Sequence, residues 1–149
     1  MKLLLAAPCN LVSNDPELGH SLIGVFHDIM VRVIPGAEIP NNAVLPKEWA
    51  IFSKWSLDPG EEGRNHFLVT EIYWPDGSKL SETRIKSLAP GVSPSISFIV
   101  RSQGFPFGQA GKIKINLRVE EEDGTDIKIA HEAVEIEILV RIEKDLALQ

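Results

Sequence analysis

The stretch KIKINLRVE, residues 112–120, alternates without a break: Ile113, Ile115, Leu117 and Val119 fall between Lys112, Lys114, Asn116, Arg118 and Glu120. Successive side chains of an extended chain point to opposite faces, so the pattern buries one face of a sheet and wets the other. Further apolar segments occupy residues 2–8, 20–33, 49–57, 66–74, 79–86, 95–102, 126–130 and 134–142, and nearly all of the ten prolines and eleven glycines fall between them. Outside the C-terminal tail no segment keeps a helical period, and the aliphatic residues lean toward isoleucine and valine, which suit pleated strands. Eight or nine short strands with regular turns predict an all-β fold. The expected architecture is a two-layer antiparallel β-sandwich of immunoglobulin-like or related topology, in a single domain over residues 1–149.

Turn chemistry adds detail. FLVTEIYW is followed by Pro75-Asp76-Gly77 and then SKLSETRI, which predicts strand, turn and strand. After KIKINLRVE, a loop with an odd number of residues would keep Ile127 and Ile129 on the face of Val119, which predicts a type I turn with a left-handed bulge at Gly124. The apolar phase then switches to even positions at Val134, Ile136 and Ile138, so a bulge or bend at AHEA is expected to carry the strand from one sheet to the other. Ile34 to Lys47, with three prolines, reads as the longest irregular connection and as a crossing between sheets. Trp49 and Trp55 share parity with Ile51 and predict a core face, whereas Trp74, next to a turn, reads as a rim residue.

The opening MKLLLAAPCN resembles a clipped signal, but Leu3 to Ala7 supply only five apolar residues before Pro8, against the roughly 7 to 15 that a secretory signal needs. The stretch is therefore expected to be the first strand, with Cys9 a small buried hydrophobe beyond it. No apolar run approaches a membrane span. A net charge of −6 repels phosphate backbones and anionic lipid, which argues against nucleic-acid and membrane partners. A single cysteine permits no internal disulfide, and a cytoplasmic location is the default expectation.

Four phrases occur in order along the chain: the N-terminal strand ending in a cysteine, GHSLIGVFHDI, LDPGEEGRNHFLVTEIYWPDG and FGQAGKIKINLRVE. Together they resemble an uncharacterised bacterial family of small acidic proteins, a domain of unknown function, in which an N-terminal strand with a cysteine precedes a phrase of the SLIGVF type. The chain departs from that phrase at His27, where the family's aspartate stands one place earlier. The resemblance implies a β-sandwich and a bacterial or phage-like origin, and it supplies no catalytic residues.

Candidate chemistry comes from the residues themselves. No nucleophile elbow of the G-x-S-x-G kind is present, and Cys9 would need a neighbouring histidine to become a nucleophile. His20, His27, His66 and His131 form no H-x-H or H-x-x-x-H pair, so the remaining metal candidate is a site assembled in space from His27, Asp28 and His66. Asp15, Asp28, Asp58, Asp76 and Asp123 fall one to a loop, which is turn chemistry rather than a calcium loop. Glu135 and Glu137 are placed to pair across the ladder with Lys112, Lys114 or Lys128. In GFPFGQ, Phe105 and Phe107 either fold back over the end of the sandwich or present a contact patch, and with Trp74 they are the candidate binding residues. The sequence thus supports a non-catalytic binding or assembly module without a cofactor, whose partner is another protein or a second copy. A ligand- or metal-binding protein using His27, Asp28 and His66 is the alternative.

Overall fold

The structure is a computed structural model that describes residues 1–15, 19–87, 94–123, 126–129 and 133–144. Two sheets enclose the core. The first is built from β1 (Lys2–Asp15), β2 (Gly19–Val25), β5 (Trp49–Ser56) and β8 (Ser95–Ser102), in the order β2-β1-β5-β8. The second contains β3 (Asp28–Val33), β6 (Asn65–Tyr73), β7 (Lys79–Lys86), β10 (Gly111–Asp123) and β12 (Val134–Lys144), in the order β3-β12-β10-β6-β7, with β11 (Asp126–Ile129) also paired to β10. The two-residue strands β4 (Val44–Leu45) and β9 (Phe105–Pro106) make a small third ladder. The order β1-β5-β8 facing β12-β10-β6-β7 matches strands A-B-E facing G-F-C-C′ of an immunoglobulin domain.

The alternation seen in the sequence defines the inner faces. Ile113, Ile115, Leu117 and Val119 of β10 are fully buried against Trp49, Ile51 and Trp55 of β5 and Ile96, Phe98 and Val100 of β8. Both indoles bury their N–H groups against an acceptor: Trp49 Nε1 donates to the Gly104 carbonyl at 2.7 Å and Trp55 Nε1 to Ser53 Oγ at 3.0 Å. The Pro75-Asp76-Gly77 turn closes β6 onto β7, with Gly77 N donating to the Trp74 carbonyl at 2.9 Å and Asp76 Oδ1 accepting from Ser78 N at 2.8 Å.

The two outer faces differ. On the first sheet, Cys9, Val12, Ala50 and Phe52 form a second, smaller cluster with Leu22 and Ile99 against it, and the His20 ring lies 5.3 Å from that of Phe52. The β1–β2 hairpin thus folds over the back of its own sheet. Gly24 lets it bend there: its φ is +68°, and a Cβ would lie 2.3 Å from Asn10 Nδ2. This cover explains why WAIF in β5 reads as a continuous apolar run, since that strand is buried on both faces.

The second sheet's outer face carries a lattice of charge. Arg118 reaches Glu71, Glu82 and Glu120, while Arg84 reaches Glu120 at 3.3 Å and Glu122 at 2.9 Å. Lys112 pairs with Glu137 at 3.1 Å and Lys114 with Glu135 at 3.9 Å, as expected for cross-strand neighbours. Val69, in register between Arg84 and Arg118, is buried in the middle of this lattice.

The structure corrects several expectations. The described residues form twelve strands rather than eight or nine. The segment 20–33 is two strands in different sheets, because the chain crosses between layers at Phe26 and His27. β3 pairs with β12 in parallel, so the sandwich is not wholly antiparallel. Parallel pairing of distant strands is set by no local turn and leaves no local signal. The β10–β11 register is Asp123↔Asp126, which leaves two residues between the strands, not three or five. Ile127 and Ile129 then lie opposite Glu122 and Glu120 on the outer face, 62% and 66% exposed. β11 and β12 both pair with β10, so the apolar phase changes without a change of sheet. The bulge placed at Gly124 and the bend through residues 130–132 lie outside the described residues.

Two outcomes follow from this packing. Thr70 is 1% exposed and its Oγ1 has no hydrogen-bond partner among the described residues, so Thr70→Val keeps the shape and removes an unpaired buried hydroxyl. Urea denaturation should show a gain of about 1 kcal/mol, and a loss of stability would contradict the account. Hydrogen bonds from Tyr73 and Arg118, reinforced by Lys79, hold the Glu71 carboxyl down from 4.5 to about 2. A carboxylate depressed on folding contributes stability above its unfolded value and loses it as pH falls through the folded one. The stability gap between wild type and Glu71→Gln, measured in urea, should be widest above pH 4.5 and should shrink as pH falls toward 2. A gap constant over that interval would contradict it.

Candidate functional site

The crossing from first to second sheet creates an opening. Phe26 N donates to the Pro8 carbonyl at 3.2 Å, and one residue later the His27 carbonyl accepts from Leu139 N at 2.9 Å, so the chain is anchored to both layers within two residues. The Phe26 ring lies edge-on to Phe105 at 6.0 Å and 6.2 Å from Trp49, while Trp49 and Phe105 are 5.3 Å apart. Phe105 is completely buried and Phe107 partly so.

The connection from Ile34 to Lys47 does pass from the second sheet to the first, and on its way it clamps the Phe105–Phe107 loop. Leu45 pairs with Phe105 and Val44 with Pro106. The Ala43 carbonyl accepts from Phe107 N at 3.1 Å and Gly108 N at 3.2 Å. Only glycine fits at 108, because a Cβ there would stand 2.3 Å from the Pro40 carbonyl oxygen.

Between this clamp and β3 lies a cleft of about 380 Å³. Phe26, Phe105 and Phe107 line its aromatic side, β3 contributes Ile29, Met30 and Val31, and Leu45 stands opposite. Met30 and Leu45 are about half exposed, as is the neighbouring Val44. The polar end is Asn10 and Lys47: Lys47 Nζ donates to Asn10 Oδ1 at 2.7 Å and lies 5.9 Å from the centre of the Phe26 ring. Among the described residues Lys47 has no carboxylate partner. An apolar cavity with one cation at its end suits an apolar group that carries an acceptor or an anion.

The residues singled out from the sequence are placed as follows. Phe105 folds back into the core, where its buried ring forms part of the cleft wall, and the partly buried Phe107 lines the same cleft. Trp74 is 7% exposed, so it is a core residue rather than a rim residue. The strand's inward face extends to the edge of the turn, with Trp74 N donating to the Ser78 carbonyl at 2.9 Å. His27 and Asp28 are exposed at the layer crossing, and Asp28 lies 3.8 Å from Arg141. His66 is buried and pairs in register with Glu121. His27 stands beside Asp28, whose level on β10 is Lys112, so the two histidines are nine residues apart along that strand, or about 30 Å. No single ion can reach both, and the candidate metal site is not formed. Among the described residues no three His, Cys, Asp or Glu side chains gather for a metal.

His66 takes part in a different arrangement. Glu121 and His66 pair on adjacent strands and Ser87, just past the end of β7, continues the row, with Ser87 N donating to the His66 carbonyl at 2.9 Å, and all three are buried. The row does not form a relay, since among the described residues His66 Nε2 and Ser87 Oγ each lack a hydrogen-bond partner and therefore do not bond to one another. Glu121 is held instead by Arg64. Cys9 is likewise inert, because burial pushes its thiol up and away from the thiolate.

Asn10, Phe26, Leu45 and Lys47 were not legible as site residues. Phe26 sits inside an apolar phrase that reads as strand, and Lys47 follows Pro46 in a stretch without motif. No helix among the described residues is long and apolar enough to cross a membrane. A search of curated proteins returns no match. The resemblance carried by the SLIGVF phrase agrees with the family comparison: the chain belongs to DUF6941, a family of unknown function whose model matches residues 4–130.

Proposed function

We propose that the protein is a non-catalytic binding module whose recognition site is the cleft between β3 and the β4–β9 ladder. The observation that supports this reading is the composition of the cleft: three phenylalanines and half-exposed Met30 and Leu45 surround a space of about 380 Å³ that ends at Lys47. Half-exposed apolar side chains around a preformed cavity cost solvation energy that a bound apolar group recovers. Binding through a rigid cleft also fits the surrounding clamp, which holds Phe107 and Leu45 without help from a ligand.

A second reading, self-association, is favoured by the edge strand β2. It carries no Asp, Glu, Lys or Arg and exposes Ile23 and Val25, with Leu11 exposed opposite Ile23. Uncharged apolar edges are the ones that pair with further strands. Light scattering over a range of concentrations should show a dimer that Ile23→Lys disperses, and a concentration-independent monomer would remove this reading.

The cleft is tested with 4-phenylbutyrate and its neutral amide, followed by amide chemical shifts of the labelled protein. Shifts should be confined to Phe26, Met30, Leu45 and their neighbours, and the acid should bind several-fold more tightly than the amide. Leu45→Glu should abolish both, and Lys47→Met should remove the preference for the acid. Shifts scattered over the surface, or none, would overturn the reading.

A further inference from the structure

We infer that the occupant of the cleft is an extended peptide strand of a partner protein, pairing with the free edge of β3 and placing an apolar side chain among Phe26, Phe105 and Phe107. This inference rests on the cleft being the binding site. Its starting point is that Ile29, Met30 and Val31 are consecutive, yet all three line the cleft. Consecutive strand residues point to opposite faces, so a space touched by three in a row lies off the edge of the strand rather than over either face. Ile29 and Val31 pack toward the core while Met30 is 52% exposed on the other side, as that geometry requires.

That edge is open. Among the described residues β3 is the terminal strand of its sheet and pairs only with β12, through Leu139↔Asp28 to Lys144↔Val33. Among the described residues the backbone groups on its other side make no backbone hydrogen bond. An edge of unpaired N–H and C=O groups beside an apolar cavity has the two parts that strand addition uses: main-chain bonds for affinity and a side-chain pocket for selectivity. β7, the opposite edge of the same sheet, differs in carrying Lys79, Glu82, Arg84 and Lys86, the charges that blunt an edge against strand addition. Lys47 sets the charge of the peptide. With the neutral Asn10 as its only bonding partner among the described residues, in a chain of net charge −6, it favours an acidic residue flanking the apolar anchor.

The test selects linear dodecapeptides from a random displayed library on the full chain, then measures the best binder by calorimetry as a synthetic peptide. It should carry an aromatic or aliphatic anchor beside Asp or Glu and lose affinity with Leu45→Glu. N-methylation at alternate backbone positions should weaken binding ten-fold or more, whereas methylation at the intervening positions should leave it unchanged. Replacing the acidic residue by its amide should weaken binding to the wild type but not to Lys47→Met. A peptide that needs the cleft but tolerates methylation at both sets of positions would overturn strand pairing and leave the cleft as a binding site. Binding of 4-phenylbutyrate with no peptide recovered would also overturn it, in favour of a small-molecule occupant. If neither peptide nor acid binds, the cleft reading falls as well.

Discussion

The burial of Phe105 against Trp49 is the contact on which the rest of the site depends. It ties a loop between two long strands into the main core, and through the Leu45↔Phe105 pair it draws the crossing connection down onto the same spot. Removing an aromatic side chain of this kind from a closed core costs about 3 to 5 kcal/mol, because the surroundings relax only in part. Here the loss would not stop at a cavity. The clamp at Ala43, the close approach at Gly108 and the aromatic side of the cleft would all lose the surface that positions them. Stability and the shape of the cleft are therefore coupled at one side chain, while Phe107, two residues on, can vary with less effect on the fold.

The two sheets solve the problem of their outer faces in opposite ways. The first covers its back with its own hairpin, so Ala50, Phe52 and Cys9 become a second core. The second leaves its back wet and covers it with carboxylates bridged by Arg84 and Arg118. Exposed ion pairs each contribute little, but a shared arginine loses its side-chain freedom only once for several contacts. The lattice also leaves the second sheet's broad face without an apolar contact surface around Val69. Exposed large apolar side chains lie away from Val69: at Ile127 and Ile129 on β11, at Ile34 after β3, at Met30, Val44 and Leu45 by the cleft, and along the β1–β2 hairpin.

Most of the sandwich could be read from the sequence, because its inner faces follow a strict alternation and its hairpins carry their own turn residues. β10 and the β6–β7 turn are examples, and the indole faces of Trp49 and Trp55 followed from parity alone. What could not be read was decided by register and by packing between segments rather than by alternation along one strand. Ile127 and Ile129 look like a core pair, yet the two-residue connection fixes their register on the wet face. Trp74 looks like a rim residue, yet the inward face continues to the turn. The cleft was illegible for the same reason: Asn10, Phe26, Lys47 and Phe107 come from four separate segments, and only the layer crossing at Phe26 brings them together. The proposed histidine pair failed because spacing along the chain carried no information about the length of β10 between them.

The parallel ladder between β3 and β12 bears on how the molecule comes into being. Its partners are far apart along the chain, Asp28 with Leu139, a separation of 111 residues. Contacts of such long range form slowly, since a large loop must close before they are rewarded. During synthesis β3 emerges early and waits for the strand that holds it, while β10 still has an open side. The wall that β3 gives to the cleft is set only when β12 docks. The cleft therefore does not exist in a nascent chain before the sheet is complete, and topology confines this surface to the finished fold.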